Sequence, residues 1–186
     1  DPDTPIGEII SCEDQLLSHA PAWRLLNHSS GLPAHCAYYE GLGGARLAGA
    51  PPERCRSTIR RMISGTPTQV IPGERSIYSD LGYLMLENLC ERVSGQNLAE
   101  FWSQLDVKSS LHFRPLATLR VDGQLEDDDQ STHSEVSSSN GVSGDPSRHY
   151  APTERCGWRK RTLCGEVHDD NAWLMGGVCG HAGLFG

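Results

Sequence analysis

From Asp122 to His149 the chain offers too little apolar surface to enter a core, and this most constrains what it can fold into. Glu126-Asp127-Asp128-Asp129 leads into Ser-, Asn- and Gly-rich sequence with Val136 and Val142 as its only large apolar residues. Ordering a backbone costs ~1–2 kcal/mol per residue, and such a stretch cannot bury enough to offset that. Residues 122–149 are therefore expected as a disordered acidic loop. The core must then come from a helical part, 1–121, and a return segment of the same domain, 150–186. With 186 residues and a hydrophobic fraction of 37%, a core is feasible if such a stretch stays outside it. The fixed ligand spacing of a calcium-binding EF-hand is absent from the acidic run.

Other function classes are excluded by composition. Twenty-four acidic against 16 basic residues leave a formal charge of −8, the opposite of a nucleic-acid footprint. No run of ~20 apolar residues could form a membrane-spanning helix. The 7 cysteines form no Cys-x-x-Cys pair and are odd in number, so they are expected as mostly reduced thiols filling gaps in the core.

Helices are legible before the acidic stretch. Pro21 to Asn27 suits a short helix, broken by His28-Ser29-Ser30-Gly31-Leu32-Pro33, where glycine can take positive φ and Pro33 disfavours α at Leu32. Gly41 to Pro51, rich in glycine and alanine, reads as a loop. Pro52 to Ser64 reads as a helix with Cys55, Ile59, Met62 and Ile63 on one stripe and Gly65 as its stop. Leu81, Leu84, Met85, Leu89 and Val93 predict an amphipathic helix capped by Ser79 or Asp80 and ended by Ser94-Gly95. Asn97 and Glu100 approximate a capping box for a further helix burying Leu98, Phe101, Trp102 and Leu105.

Three blocks carry chemistry. They are Leu25-Leu26-Asn27-His28-Ser29-Ser30-Gly31-Leu32-Pro33; Tyr78-Ser79-Asp80-Leu81-Gly82-Tyr83 running on to Gln96; and Ala151-Pro152-Thr153-Glu154 with Gly165-Glu166-Val167-His168-Asp169-Asp170-Asn171-Ala172 and Gly177-Val178-Cys179-Gly180-His181-Ala182-Gly183-Leu184-Phe185. In this order they resemble the serine β-lactamase-related family: class C-type β-lactamases, penicillin-binding D-alanyl-D-alanine peptidases and related esterases. The resemblance spans nearly the whole chain, except the acidic loop and the stretch from Lys108 to Arg120. It implies an α+β fold, of which this chain is the mainly helical central segment, with most of the antiparallel sheet missing. It also implies acyl transfer through a covalent serine, without a cofactor or metal, on a small ester or amide such as a β-lactam or a D-alanyl peptide.

In that family a Ser-x-x-Lys motif supplies nucleophile and base, a Tyr-x-Asn type motif shuttles the proton, and a Lys-Thr-Gly or His-x-Gly strand closes the cleft. The only lysines here are Lys108 and Lys160, preceded at three residues by Leu105 and Gly157, so neither completes Ser-x-x-Lys. The nucleophile is expected upstream of Asp1 and the closing strand downstream of Phe185. His181-Ala182-Gly183 has the His-x-Gly shape but lies in a different block. On this reading the chain is an internal piece, inactive alone, and its helix faces around Leu84, Leu89 and Trp102 lose part of their cover. A poorly soluble or partly molten fragment is the expected consequence.

Only the second motif maps onto catalytic roles. Tyr78 would be the general acid or base, a phenol usable only where a cation favours phenolate. Asp80 stands where asparagine is usual; its carboxylate accepts but cannot donate, so it could hold a lysine yet would repel an anionic substrate. The bland alternative is that Tyr78 packs a loop and Asp80 caps a helix. His28, His168 and His181 are expected to brace turns through backbone hydrogen bonds. Two rival functions stay open: a non-catalytic binding protein on the same scaffold, and a metal-dependent hydrolase using His168, Asp169 and His181.

Overall fold

The computed structural model describes residues 1–105, 111–116 and 150–185, so the expected loop at 122–149 and Lys108 lie outside the described residues. The chain forms two units, residues 1–117 with 166–186, and residues 118–165. The first is helical and carries every feature discussed below except one hairpin.

In the first unit three short helices, α1 (Ile6–Ile9), α2 (Gln15–His19) and α3 (Trp23–Leu26), precede the longer α4 (Tyr38–Leu47), α5 (Pro52–Ser64), α6 (Asp80–Ser94) and α7 (Leu98–Gln104). Strand β1 (His112–Phe113) follows, and after the second unit come α8 (Asp170–Leu174) and a last strand, Leu184–Phe185. Helix α6 is central, with α1, α3, α5 and α7 all packed against it. Ser79 caps it, its Oγ accepting from the Gly82 N–H at 3.2 Å, and Gly95 ends it in the left-handed region at φ 72°. Leu81, Leu84, Met85 and Leu89 are buried. The expected loss of cover over Leu84 and Leu89 is thus corrected: α1, α3 and α5 of this chain provide it. Val93, expected on the same face, is 74% exposed on the rim of an apolar groove beside Leu26 and Phe101. The sequence period runs one turn further than the helices that cover it.

Helix α5 has the expected bounds, with proline in its first turn and Cys55, Ile59 and Ile63 buried, whereas Met62 points outward. Helix α4 replaces the loop expected from Gly41. Gly41 and Gly44 each cost a helix about 1 kcal/mol relative to alanine, and both face open space here. Tyr38 and Arg46 are nevertheless buried, and α4 packs on α5 and α8 with the Arg46 guanidinium 5.0 Å from the centre of the Trp173 ring. Tertiary burial overrides local propensity. Helix α7 has its capping box, but none of Leu98, Phe101, Trp102 and Leu105 is fully buried, because among the described residues only the elements α6 and β1 cover it. Trp102 meets Phe113 edge-on at 6.0 Å and donates from Nε1 to the Leu111 carbonyl.

The sheet content is small. Strand β1 pairs antiparallel with Leu184–Phe185, His112 opposite Phe185 and Phe113 opposite Leu184. The second unit contains a hairpin of β2 (Arg155–Cys156) and β3 (Arg161–Thr162), antiparallel with Arg155 opposite Thr162; the strand Leu184–Phe185 is therefore β4. Gly31 takes the positive φ expected of it, 81°, and its carbonyl accepts from Gln69 N–H. All seven cysteines are free thiols; Cys55, Cys156 and Cys179 are buried and Cys90 is exposed. Among the described residues no helix is long and apolar enough to cross a membrane.

Candidate functional site

The first turn of α6 and the loop before α4 are fastened together by backbone and cap. The Asp80 N–H donates to the Ala34 carbonyl at 2.9 Å, and the Ser79 hydroxyl, besides capping α6, donates to the Pro33 carbonyl at 2.6 Å. His28 completes the link from an unusual backbone, φ 60°: its carbonyl accepts from Ile77 N–H, and its Nδ1 accepts from Ser79 N–H at 3.1 Å. A backbone donor facing Nδ1 requires a lone pair there, which assigns the remaining ring proton to Nε2. The expected bracing role of His28 is thus what the structure shows. Its ring lies between two tyrosines, 4.5 Å from Tyr78 and 5.1 Å from Tyr83, centre to centre.

Tyr78 stands on this platform 72% exposed. Asp80 opens the first turn of α6 and also pairs with His35, whose Nδ1 lies 3.1 Å from Asp80 Oδ2. His35 was not expected at the site: 45 residues separate it from Asp80, and no local pattern announces the contact.

The return segment adds a second acid–imidazole pair. Asp169 caps α8 by accepting from Ala172 N–H at 2.7 Å through Oδ1, which also lies 3.0 Å from His181 Nε2. This corrects the expectation that His181 bonds to backbone; its partner is a carboxylate. Burial pulls the His181 imidazolium toward neutrality, but the Asp169 hydrogen bond and charge, with Asp80 and Glu87 beyond, hold its pKa above 6.5. Burial pushes the Asp169 carboxyl up, but His181, the Ala172 N–H and the charge of His35 outweigh it and keep its pKa below 3.8. Among the described residues, His, Cys, Asp and Glu side chains do not gather in a group of three that could hold a metal ion.

A cavity of about 510 Å³ opens beside the pair, lined by Tyr83, Glu87, Trp102, Phe113, His181 and Leu184 among others. Glu87 is fully buried at its edge: Arg56 and Arg60 bond to its Oε1, and the Gly180 N–H donates to its Oε2 at 3.0 Å.

Comparison with known proteins bears on this region. The Beta-lactamase family model matches residues 23–105, from α3 through α7, with Tyr78, Asp80, His28 and His35 inside the match. Residues 23–105 are similar to the beta-lactamase family. A protein of Escherichia coli (strain K12) named "Putative D-alanyl-D-alanine carboxypeptidase" is 36% identical over 163 residues, 87% of this chain and 34% of that protein. One of the same name from Salmonella newport (strain SL254) is 32% identical over 167 residues, again 87% of this chain and 34% of the relative. The chain spans about a third of the length of the curated relatives it matches. The likeness therefore extends past residues 23–105 and takes in most of the chain.

The Asp169–His181 pair sets a pH dependence. A raised histidine pKa contributes stability that is present below pH 6.5 and lost as pH rises through the folded value. A lowered aspartate pKa contributes above pH 3.8 and is lost as pH falls through its folded value. The pair therefore stabilises most between those limits. Calorimetry of the chain is expected to show a melting midpoint that falls from pH 6 to pH 8.5, with a shallower fall in His181→Gln. Parallel curves for the two proteins would refute this assignment.

Proposed function

We propose that this chain is the helical segment of a serine hydrolase that acts through an acyl-enzyme on an ester or amide carbonyl, a D-alanyl peptide or β-lactam included. The single observation that carries the reading is the beta-lactamase-family match over residues 23–105, which includes α6 and, just before its Ser79 cap, the exposed Tyr78 on the His28 platform. The names of the relatives favour a D-alanyl peptide among the substrate classes.

In the proposed reaction a serine outside this chain attacks the carbonyl after a neighbouring lysine takes up its proton, and the Tyr78 hydroxyl carries a proton to the leaving group. Asp80 orients the donors around it. The polypeptide alone, lacking a Ser-x-x-Lys motif, hydrolyses nothing on this reading.

The test uses the full-length protein containing this chain. Incubation with a p-nitrophenyl ester is expected to give a burst of p-nitrophenol and an acyl adduct by mass spectrometry. Tyr78→Phe is expected to lower turnover by about 10²–10⁴-fold, the usual scale for a positioned acid or base. Unchanged turnover in Tyr78→Phe would remove the tyrosine from the relay. A folded full-length protein with neither burst nor adduct would instead be a binding protein on this scaffold.

A further inference from the structure

An ionised Asp80 poses a difficulty for the hydrolase reading. D-alanyl peptides and β-lactams carry a carboxylate, and an acceptor-only side chain beside the reacting centre would repel it. The surroundings of Asp80 answer this in a way its sequence neighbours do not suggest. His35 lies against it, the charge of His35 reaches Asp169, Asp169 bonds His181, and the charge of His181 in turn reaches Asp80. The four groups alternate imidazole and carboxylate. Glu87 also faces His181, but Arg56 and Arg60 already bind its carboxylate. His35 is held in place through its neighbours, since the carbonyls of Pro33 and Ala34 both accept from the first turn of α6. The side chains of His35 and Asp80 are 45% and 22% exposed, so both are open to solvent.

We propose that His35 is a specificity-determining positioning residue: its imidazole clamps the Asp80 carboxylate and cancels its charge, so that the site accepts an acyl donor bearing a carboxylate. The inference rests on the hydrolase reading of Tyr78 and Asp80.

The test compares two aryl esters of the same acyl group on the full-length protein, one with a carboxylate on the departing phenol and the other with a carboxamide there. His35→Gln, which keeps a polar group but no charge, is expected to lower the ratio of kcat/KM for the anionic over the neutral ester by about tenfold, on the scale of one uncompensated charge a few ångströms away. Adding Asp80→Asn to His35→Gln is expected to restore most of that ratio. An equal loss on both esters would mark His35 as merely structural, and an unchanged ratio would also overturn the proposal. If the unsubstituted protein turns over neither ester, the hydrolase reading fails and the specificity role falls with it.

Discussion

Glu87→Ala is expected to destabilise the protein by about 3–5 kcal/mol, the scale for removing one partner from a buried ion pair. The Glu87 side chain is fully buried, and those of Arg56 and Arg60 are only 19% and 22% exposed, so solvent screens the network little. Glu87 holds both arginines and the Gly180 N–H, while Arg56 also donates to the carbonyls of Met175 and Val178 at 2.6 and 2.8 Å. One carboxylate thereby ties α5 and α6 to the glycine-rich return from α8 to β4. Alanine leaves two guanidinium groups and a backbone donor without it; Glu91 remains as an acid partner, 2.6 Å from Arg60 and 3.9 Å from Arg56. At about 2–4 °C per kcal/mol for a chain of this size, the melting midpoint should drop by roughly 10 °C. Glu87→Gln keeps an acceptor for Gly180 and should lose less. A calorimetric loss below ~1 kcal/mol for Glu87→Ala would show that the arginines find other partners at no cost.

Gly183→Ala is expected to cost a similar amount for a steric reason. Gly183 has φ 103°, a region L side chains rarely enter, and a Cβ there would lie 2.0 Å from the Gly177 carbonyl oxygen. Backbone strain of this kind costs ~1–3 kcal/mol, and overpacking against an atom that cannot rotate away adds ~1–3 kcal/mol. The Gly177 backbone would have to move, and with it the turn that presents His181. Gly95→Ala is the control: its φ is 72°, but nothing lies within 4 Å of the added Cβ, so it carries backbone strain alone. Equal melting midpoints for the two variants would refute the clash.

Local signals and tertiary signals divide unevenly over this chain. Helices α5 and α6 have the bounds their apolar periods predict, and the capping box of α7 and the Ser79 cap of α6 form as the residue types suggest, because each depends on contacts within four residues. The same local logic failed at α4, where two outward-facing glycines disguised a helix held by Tyr38 and Arg46. It also overextended the buried face of α6 to Val93, since a period says which side is apolar but not how far its cover reaches.

At the candidate site the sequence by itself singled out Tyr78 and Asp80, which flank the Ser79 cap of α6, and through their blocks a resemblance to the beta-lactamase family. What only the tertiary structure decided is the company they keep. His28 beneath Tyr78, His35 against Asp80 and the Asp169–His181 pair arrive from three separate stretches, across sequence separations of 45 residues for His35 and Asp80 and 51 for His28 and Ser79. A lone histidine in a loop carries no periodicity or spacing that names its partner. Its role is settled when the chain closes on itself and a carboxylate, a backbone N–H or another ring comes within hydrogen-bond or stacking distance.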